Sequence, residues 1–206
     1  MSTADFDRWQ TRFGSTDDYV FGEAPNHFLV SVADLLPASG RVLAVADGEG
    51  RNGVWLAARG LDVVSLDFSP IAQAKAKRLA EKHGVSPVFI EADVHAWDYP
   101  ENTYDAVVEI FTQFSNPAQR AQKWAGMRRT LKPGGVLVVQ GYTPRQLDYG
   151  TGGPRVHENL YTEAMLRDAF GDWPIERLVE EDREMTEGPG HSGMSAVIGL
   201  VARKPG

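Results

Sequence analysis

The chain of 206 residues contains no cysteine, and that absence closes several routes at once. It rules out a disulfide framework, a thiolate metal site and a cysteine nucleophile. Long apolar runs are missing too, and none approaches the roughly 18 residues that a membrane helix needs. Positive charge is in the minority, with 21 Lys and Arg against 28 Asp and Glu and a net charge of −7. A surface of that sign repels phosphate backbones, so nucleic acid is not an expected partner. The five histidines are scattered, and no histidine or carboxylate cluster has metal-ligand spacing. Met1–Asp7 has neither the basic nor the apolar stretch of a signal peptide. A cytoplasmic protein without membrane contact is the expectation. No internal repeat or low-complexity segment is found, and with 42% hydrophobic residues the length suits one domain with a sizeable core.

What is present is organised around Arg41–Gly53. Val42 to Ala46 is too short for a helix and apolar enough for a buried strand. Gly48, Gly50 and Gly53 follow, and then the apolar helix start Val54-Trp55-Leu56-Ala57-Ala58. Glycines permit a sharp turn and close approach of a ligand to the backbone. A helix start offers unpaired N–H groups and partial positive charge. Gly48-x-Gly50-x-x-Gly53 matches a dinucleotide fingerprint, and Asp67 closes the next apolar run, where an acid can accept hydrogen bonds from both ribose hydroxyls. An adenosine-containing cofactor is the first reading.

Elsewhere strands and helices alternate. Phe6, Trp9 and Phe13 have helical spacing, ending at Gly14. Tyr19 to Pro25 reads as a loop, and this aromatic segment is either a cap on the core or a lid over the cofactor. Asn26 is an N-cap for a helix reaching Leu36. Strands are expected at Leu61–Asp67, Pro87–Glu91, Tyr104–Phe111 and Val136–Gly141. Helices are expected from Gly50 to Arg59, over Ile71–His83 after the start signal Ser69-Pro70, and over Pro117–Leu131 with Arg120, Lys123, Arg128 and Arg129 outward. His95 to Thr103 reads as a polar surface loop. Alternation of this kind means parallel strands. After a long loop, Tyr142–Asn159, and a short helix, Thr162–Phe170, two strand-like runs, Ile175–Glu184 and Met194–Val201, flank a glycine-rich link, so the last strand is expected to be antiparallel. The expected fold is α/β, a Rossmann-like doubly wound seven-stranded sheet, mostly parallel, with helices on both faces. The expected organisation is one domain, with a lid segment at 1–25, a cofactor core at 26–141 and a substrate-side loop, helix and hairpin at 142–206.

These residues resemble the class I S-adenosylmethionine-dependent methyltransferases, and among them the small tellurite-resistance and thiopurine methyltransferase-like group. Val42 to Gly50 is similar to the family's first motif, Ala92-Asp93-Val94 to the motif after the third strand, and Leu131 to Gly135 to the turn before the fifth. Trp9-x-x-Arg12-Phe13, with Tyr19 and Gly22, resembles the group's lid. The resemblance implies S-adenosylmethionine as cofactor, with Asp67 on the ribose, and Asp93 and the Val94 backbone on adenine. It implies cofactor contacts at Trp9, Arg12, Tyr19, Asp47, Gly48, Glu49, Gly50, Asn52, Phe68, Glu109 and Phe111. The motif's acid and glycine are replaced by Ala44 and Ala46, so Asp47 or Glu49 is expected to take the acid's place.

On the substrate side the expected contacts are Phe114, Tyr142, Arg145, Tyr149, His157 and His191, on a small-molecule acceptor. The motif of amide and base nitrogen methylation, Asn/Asp-Pro-Pro-aromatic, is absent; Glu109-Ile110-Phe111-Thr112-Gln113-Phe114 stands there. In-line transfer from a sulfonium to a soft or ionised nucleophile needs little beyond alignment, so no catalytic residue and no metal are assigned. An NAD-dependent oxidoreductase, suggested by the fingerprint, and a non-enzymatic S-adenosylmethionine-binding protein are the alternatives.

Overall fold

The computed structural model describes residues 3–206. Met1 and Ser2, the start of the expected lid, lie outside the described residues. A seven-stranded sheet runs through the molecule in the order β3-β2-β1-β4-β5-β7-β6. β1 is Arg41–Val45, β2 Asp62–Asp67, β3 Val88–Glu91, β4 Tyr104–Ile110, β5 Leu131–Tyr142, β6 Ile175–Thr186 and β7 Ser192–Arg203. The first five pair in parallel. β7 runs antiparallel to both neighbours, with Gly141 opposite Ile198 and Gly199 opposite Val179.

Alternation of side chains along β1 divides the core in two. Leu43 and Val45 face one side, packing in a cluster with Trp124, Met127, Leu166 and Phe170. These come from α5, Pro117–Thr130, and α7, Glu163–Phe170. Val42 and Ala44 face the other side, toward Phe28, Leu29 and Leu56. Those residues belong to α2, His27–Ser31, and α3, Arg51–Ala58. α4, Pro70–His83, lies beside α3. Its Ser69 Oγ accepts a hydrogen bond from the Ala72 amide and Pro70 opens the helix, as the sequence signal predicts. Gly199 gives α2 its seat on β7, because a Cβ there would stand 2.5 Å from the Phe28 ring.

Several expectations need correction. Asn26 does cap α2, accepting from the Leu29 amide, but the regular helix stops at Ser31 instead of Leu36. β5 begins at Leu131, before the Lys-Pro-Gly-Gly turn, because Leu131 pairs with Tyr104 ahead of a register shift. The long 142–159 loop contains a helical turn, α6, Gln146–Tyr149. His95 is buried, its Nε2 2.7 Å from Ser115 Oγ. Arg120 and Lys123 do not point outward. Lys123 is fully buried 2.5 Å from Glu109, and Arg120 is buried with its guanidinium on the Glu158 carbonyl. Charge patterning marks a solvated helix face only when no buried acid waits opposite, and Glu109 does.

Candidate functional site

The strand ends that form the site are strained. Ala46, just after β1, and Phe111, just after β4, both have left-handed backbones, with φ of 49° and 56°. A non-glycine residue pays on the order of 1–3 kcal/mol for such a conformation, and such positions cluster at functional sites. β1 and β4 are neighbours, so the two kinks open one cleft at the carboxyl edge of the sheet. The chain then turns at Gly48, φ 59°, and Gly50, φ 84°. At Gly50 a Cβ would stand 2.6 Å from that of Ala76, so glycine lets α3 start against α4.

Trp9, Asp47, Gly48, Glu49, Asn52, Asp67, Phe68 and Phe111, all expected cofactor contacts, line this cleft together. Asp67 is nearly inaccessible to solvent, and its carboxylate accepts from the Gly48 amide at 2.9 Å and the Ser69 amide at 2.8 Å. Burial pushes its pKa up to about 6, against the pull of those amides. Asp47 turns toward α3, accepting from Ser65 Oγ at 2.8 Å and the Gly53 amide at 3.2 Å. That contact explains Gly53, since a Cβ there would stand 2.3 Å from Asp47 Oδ2. Burial, helped by nearby Asp67 and opposed by the two hydrogen bonds, pushes Asp47 up to about 7. Glu49 is buried 2.9 Å from Lys75 Nζ and accepts from the Phe21 amide. It ties the N-terminal segment to α4.

That segment covers the cleft. α1, Thr3–Gly14, stacks Trp9 on Phe13 with centroids 5.5 Å apart, and Phe13 and Val20 pack against Ala72 of α4. Tyr19 does not reach the cleft; its hydroxyl donates to the Lys75 carbonyl. The β6–β7 turn interlocks with the same segment. The Gly190 amide donates to the Val20 carbonyl at 2.7 Å, and a Cβ on Gly188 would stand 2.3 Å from the Gly22 nitrogen. Glu187 in that turn pairs with Arg51 at 2.7 Å and accepts from Asn26 Nδ2 and the His27 amide. Arg51 lines the cleft; nothing in its sequence spacing marks it.

A second cavity of about 420 Å³ adjoins the first. It gathers Phe114, Tyr142 and His191 from the expected substrate contacts, and Arg12 from the expected cofactor contacts. Gln113 and Asn159 also line it. Gln113 ties Tyr142, at the end of β5, to Asn159, donating to both carbonyls. Five side chains, Trp9, Phe21, Phe111, Phe114 and His191, line both cavities. Trp9 Nε1, Asn159 Oδ1 and His191 Nδ1 are buried without a hydrogen-bond partner. Unsatisfied buried polar atoms of this kind cost on the order of 1–3 kcal/mol each and call for a ligand or water.

Other expected contacts are placed elsewhere. Arg145 is exposed and pairs with Asp182 at 2.8 Å, Tyr149 lies beside it, and His157 is on the surface; none lines either cavity. Asp93, Val94 and Gly50 adjoin the cleft strands without lining the cleft. Asp93 accepts from the His95 amide. Glu109 turns into the core, accepting from Trp124 Nε1 at 2.8 Å and the Tyr161 hydroxyl at 3.1 Å. The cleft fits an adenosine-bearing group. A buried acid ends β2, and a glycine turn with left-handed backbone follows β1 at the same edge of the sheet.

Comparison with known proteins agrees with this geometry. Residues 42–135 match the family model described as a methyltransferase domain. A demethylmenaquinone methyltransferase of Thermus thermophilus is 39% identical over 106 residues, covering 50% of this chain and 48% of the relative. One from Renibacterium salmoninarum is 35% identical over 127 residues, covering 62% and 48%. The chain spans about half the length of the curated relatives it matches. The TehB structure from Haemophilus influenzae superposes with a TM-score of 0.74 at 22% identity, over 95% of this chain and 67% of TehB. A structure reported under "Conversion of a Disulfide Bond into a Thioacetal Group during Echinomycin Biosynthesis" gives 0.78 at 22% identity, over 98% and 93%. Residues 42–135 match a methyltransferase domain, and the chain as a whole shares the fold of these solved structures, in line with the sequence resemblance. Among the described residues no helix is long and apolar enough to cross a membrane.

Proposed function

We propose that the chain transfers a methyl group from S-adenosylmethionine to a small-molecule acceptor held in the second cavity. The observation that carries this reading is the wall of five side chains common to both cavities, where donor and acceptor would meet. Asp67 would accept from the ribose hydroxyls, with the glycine turn beside it, and Asp93 and Val94 would serve the adenine end. Bound S-adenosylmethionine supplies a methyl group already activated on a positively charged sulfur. The protein's part is alignment and exclusion of water, which Trp9, Phe21, Phe111 and Phe114 provide. The lid, α1 with residues 15–25, would lift for binding and close over the cofactor.

Arg12 and Arg155 line the second cavity. Neither has an ion-pair partner among the described residues, and Arg12 lies over Trp9 and Phe21, 5.5 and 5.0 Å from the ring centroids. Their charge favours an acceptor carrying a negative group. Relatives named for demethylmenaquinone support a small-molecule acceptor. β7, lying antiparallel between β5 and β6, supports this reading over a dinucleotide oxidoreductase. The test is transfer of labelled methyl from S-adenosylmethionine to thiols and chalcogen oxyanions. Label in at least one acceptor is expected, with His157→Ala and Asp148→Ala each within about tenfold of wild type, short of the ~10²–10⁴ loss of a general base. Absence of label in every acceptor would contradict the proposal.

A further inference from the structure

Sequence spacing assigns no proton acceptor to the reaction, yet the fold brings one to the junction. Of the five side chains common to both cavities, Trp9, Phe21, Phe111 and Phe114 have no lone pair able to take a proton; His191 does. The ring is held in place on several sides. Its centroid lies 4.5 Å from Phe21, 4.5 Å from Phe111 and 5.9 Å from Tyr142. Its own backbone is fixed by the hairpin, where the amide donates to the Gly188 carbonyl and the carbonyl accepts from the Glu187 amide. Its Nδ1 is buried without a partner. Burial, then the positive charges of Arg51 and Arg12, hold the imidazole well below its ordinary pKa, so the ring is neutral and one nitrogen keeps its lone pair.

We propose that the His191 imidazole accepts the proton of the acceptor's nucleophile, and that the acceptor is a phenol or thiol whose O–H or S–H faces the junction. This rests on the two-cavity reading. As the O or S lone pair forms its bond to the methyl carbon, the O–H or S–H proton passes to the lone pair of the imidazole. The electron pair of the breaking sulfur–methyl bond stays on sulfur, leaving a neutral thioether, and the imidazolium returns its proton to water. A neutral, weakly basic imidazole suits an acidic O–H or S–H better than an aliphatic alcohol.

The test uses the full chain, labelled with nitrogen-15 histidine and saturated with S-adenosylhomocysteine, with phenol and toluene as probes. Phenol is expected to shift the His191 ring-nitrogen resonances, and toluene at the same concentration to leave them in place. His191→Phe keeps an aromatic wall. It is expected to bind S-adenosylhomocysteine within about threefold of wild type and to lose a phenol-over-toluene preference of about fivefold, the worth of one neutral hydrogen bond. Unmoved His191 ring nitrogens while the Phe111 and Tyr142 amides shift would overturn the role of His191 and leave the two-cavity reading standing. No shift at any residue with either probe would overturn the assignment of the acceptor. Failure to bind S-adenosylhomocysteine would overturn the methyltransferase reading itself.

Discussion

Two aspartates at neighbouring strand ends have diverging tasks. Asp67 holds the glycine turn through Gly48 and the start of α4 through Ser69. It would hold the ribose with the remaining oxygen lone pairs. Asp67→Ala should weaken S-adenosylhomocysteine binding by roughly 1.5–3 kcal/mol in calorimetry; wild-type affinity would remove the ribose assignment. Asp47 is engaged with Ser65 and Gly53 and acts on stability. Its folded pKa of about 7 lies above the ordinary carboxyl value of 3.8, so between those values the folded state binds more protons than the unfolded one. Stability from this group is therefore present below about pH 4 and lost as pH rises toward 7, at about 1.4 kcal/mol per unit. Denaturant melts of Asp47→Asn and wild type should show the difference moving in the variant's favour from pH 4 to 7 and levelling above. A difference flat across that range would contradict the assignment. At this scale the sequence revealed the acids but not their orientations. Asp47 and Glu49 looked equivalent, and only the close approach of Gly53 to one and of Lys75 to the other separates them. His191 was visible as a loop histidine; its position at the junction depends on the hairpin meeting Val20 and Gly22 of the N-terminal segment, far away in sequence.

Among the elements, the strand–turn–helix unit and the terminal hairpin were legible because local signals and packing agree: β-rich runs, Ser69-Pro70, and glycines where turns fall. α2 stopped early and α5 buried two cations because tertiary partners overrode local pattern. The N-terminal segment was legible through its aromatics, Arg12 and Gly22, but its contacts were not. Its hold on the site comes from the Gly22–Gly188 approach and the Val20–Gly190 hydrogen bond. Gly188 has φ 78°, so Gly188→Ala adds both backbone strain and a clash. The variant should exchange amide hydrogens faster over residues 15–25 and bind S-adenosylhomocysteine more weakly, while wild type slows at residues 8–22 when that ligand is added. Exchange unchanged by variant and ligand alike would make the segment a fixed cap on the core.

For the molecule as a whole, an adenosine-bearing cofactor site is read at the carboxyl edge of the sheet, lined from one side by the N-terminal segment and from the other by the terminal hairpin. Both elements lie outside the matched 42–135 stretch, and both contribute lining to the second cavity. The glycine fingerprint by itself admits a dinucleotide, so the discriminating measurement is calorimetric titration of the intact chain with S-adenosylmethionine, S-adenosylhomocysteine and NAD. The account predicts saturable binding of the first two and far weaker binding of NAD. NAD binding as tightly as S-adenosylmethionine, or no binding of S-adenosylmethionine and its product, would contradict it.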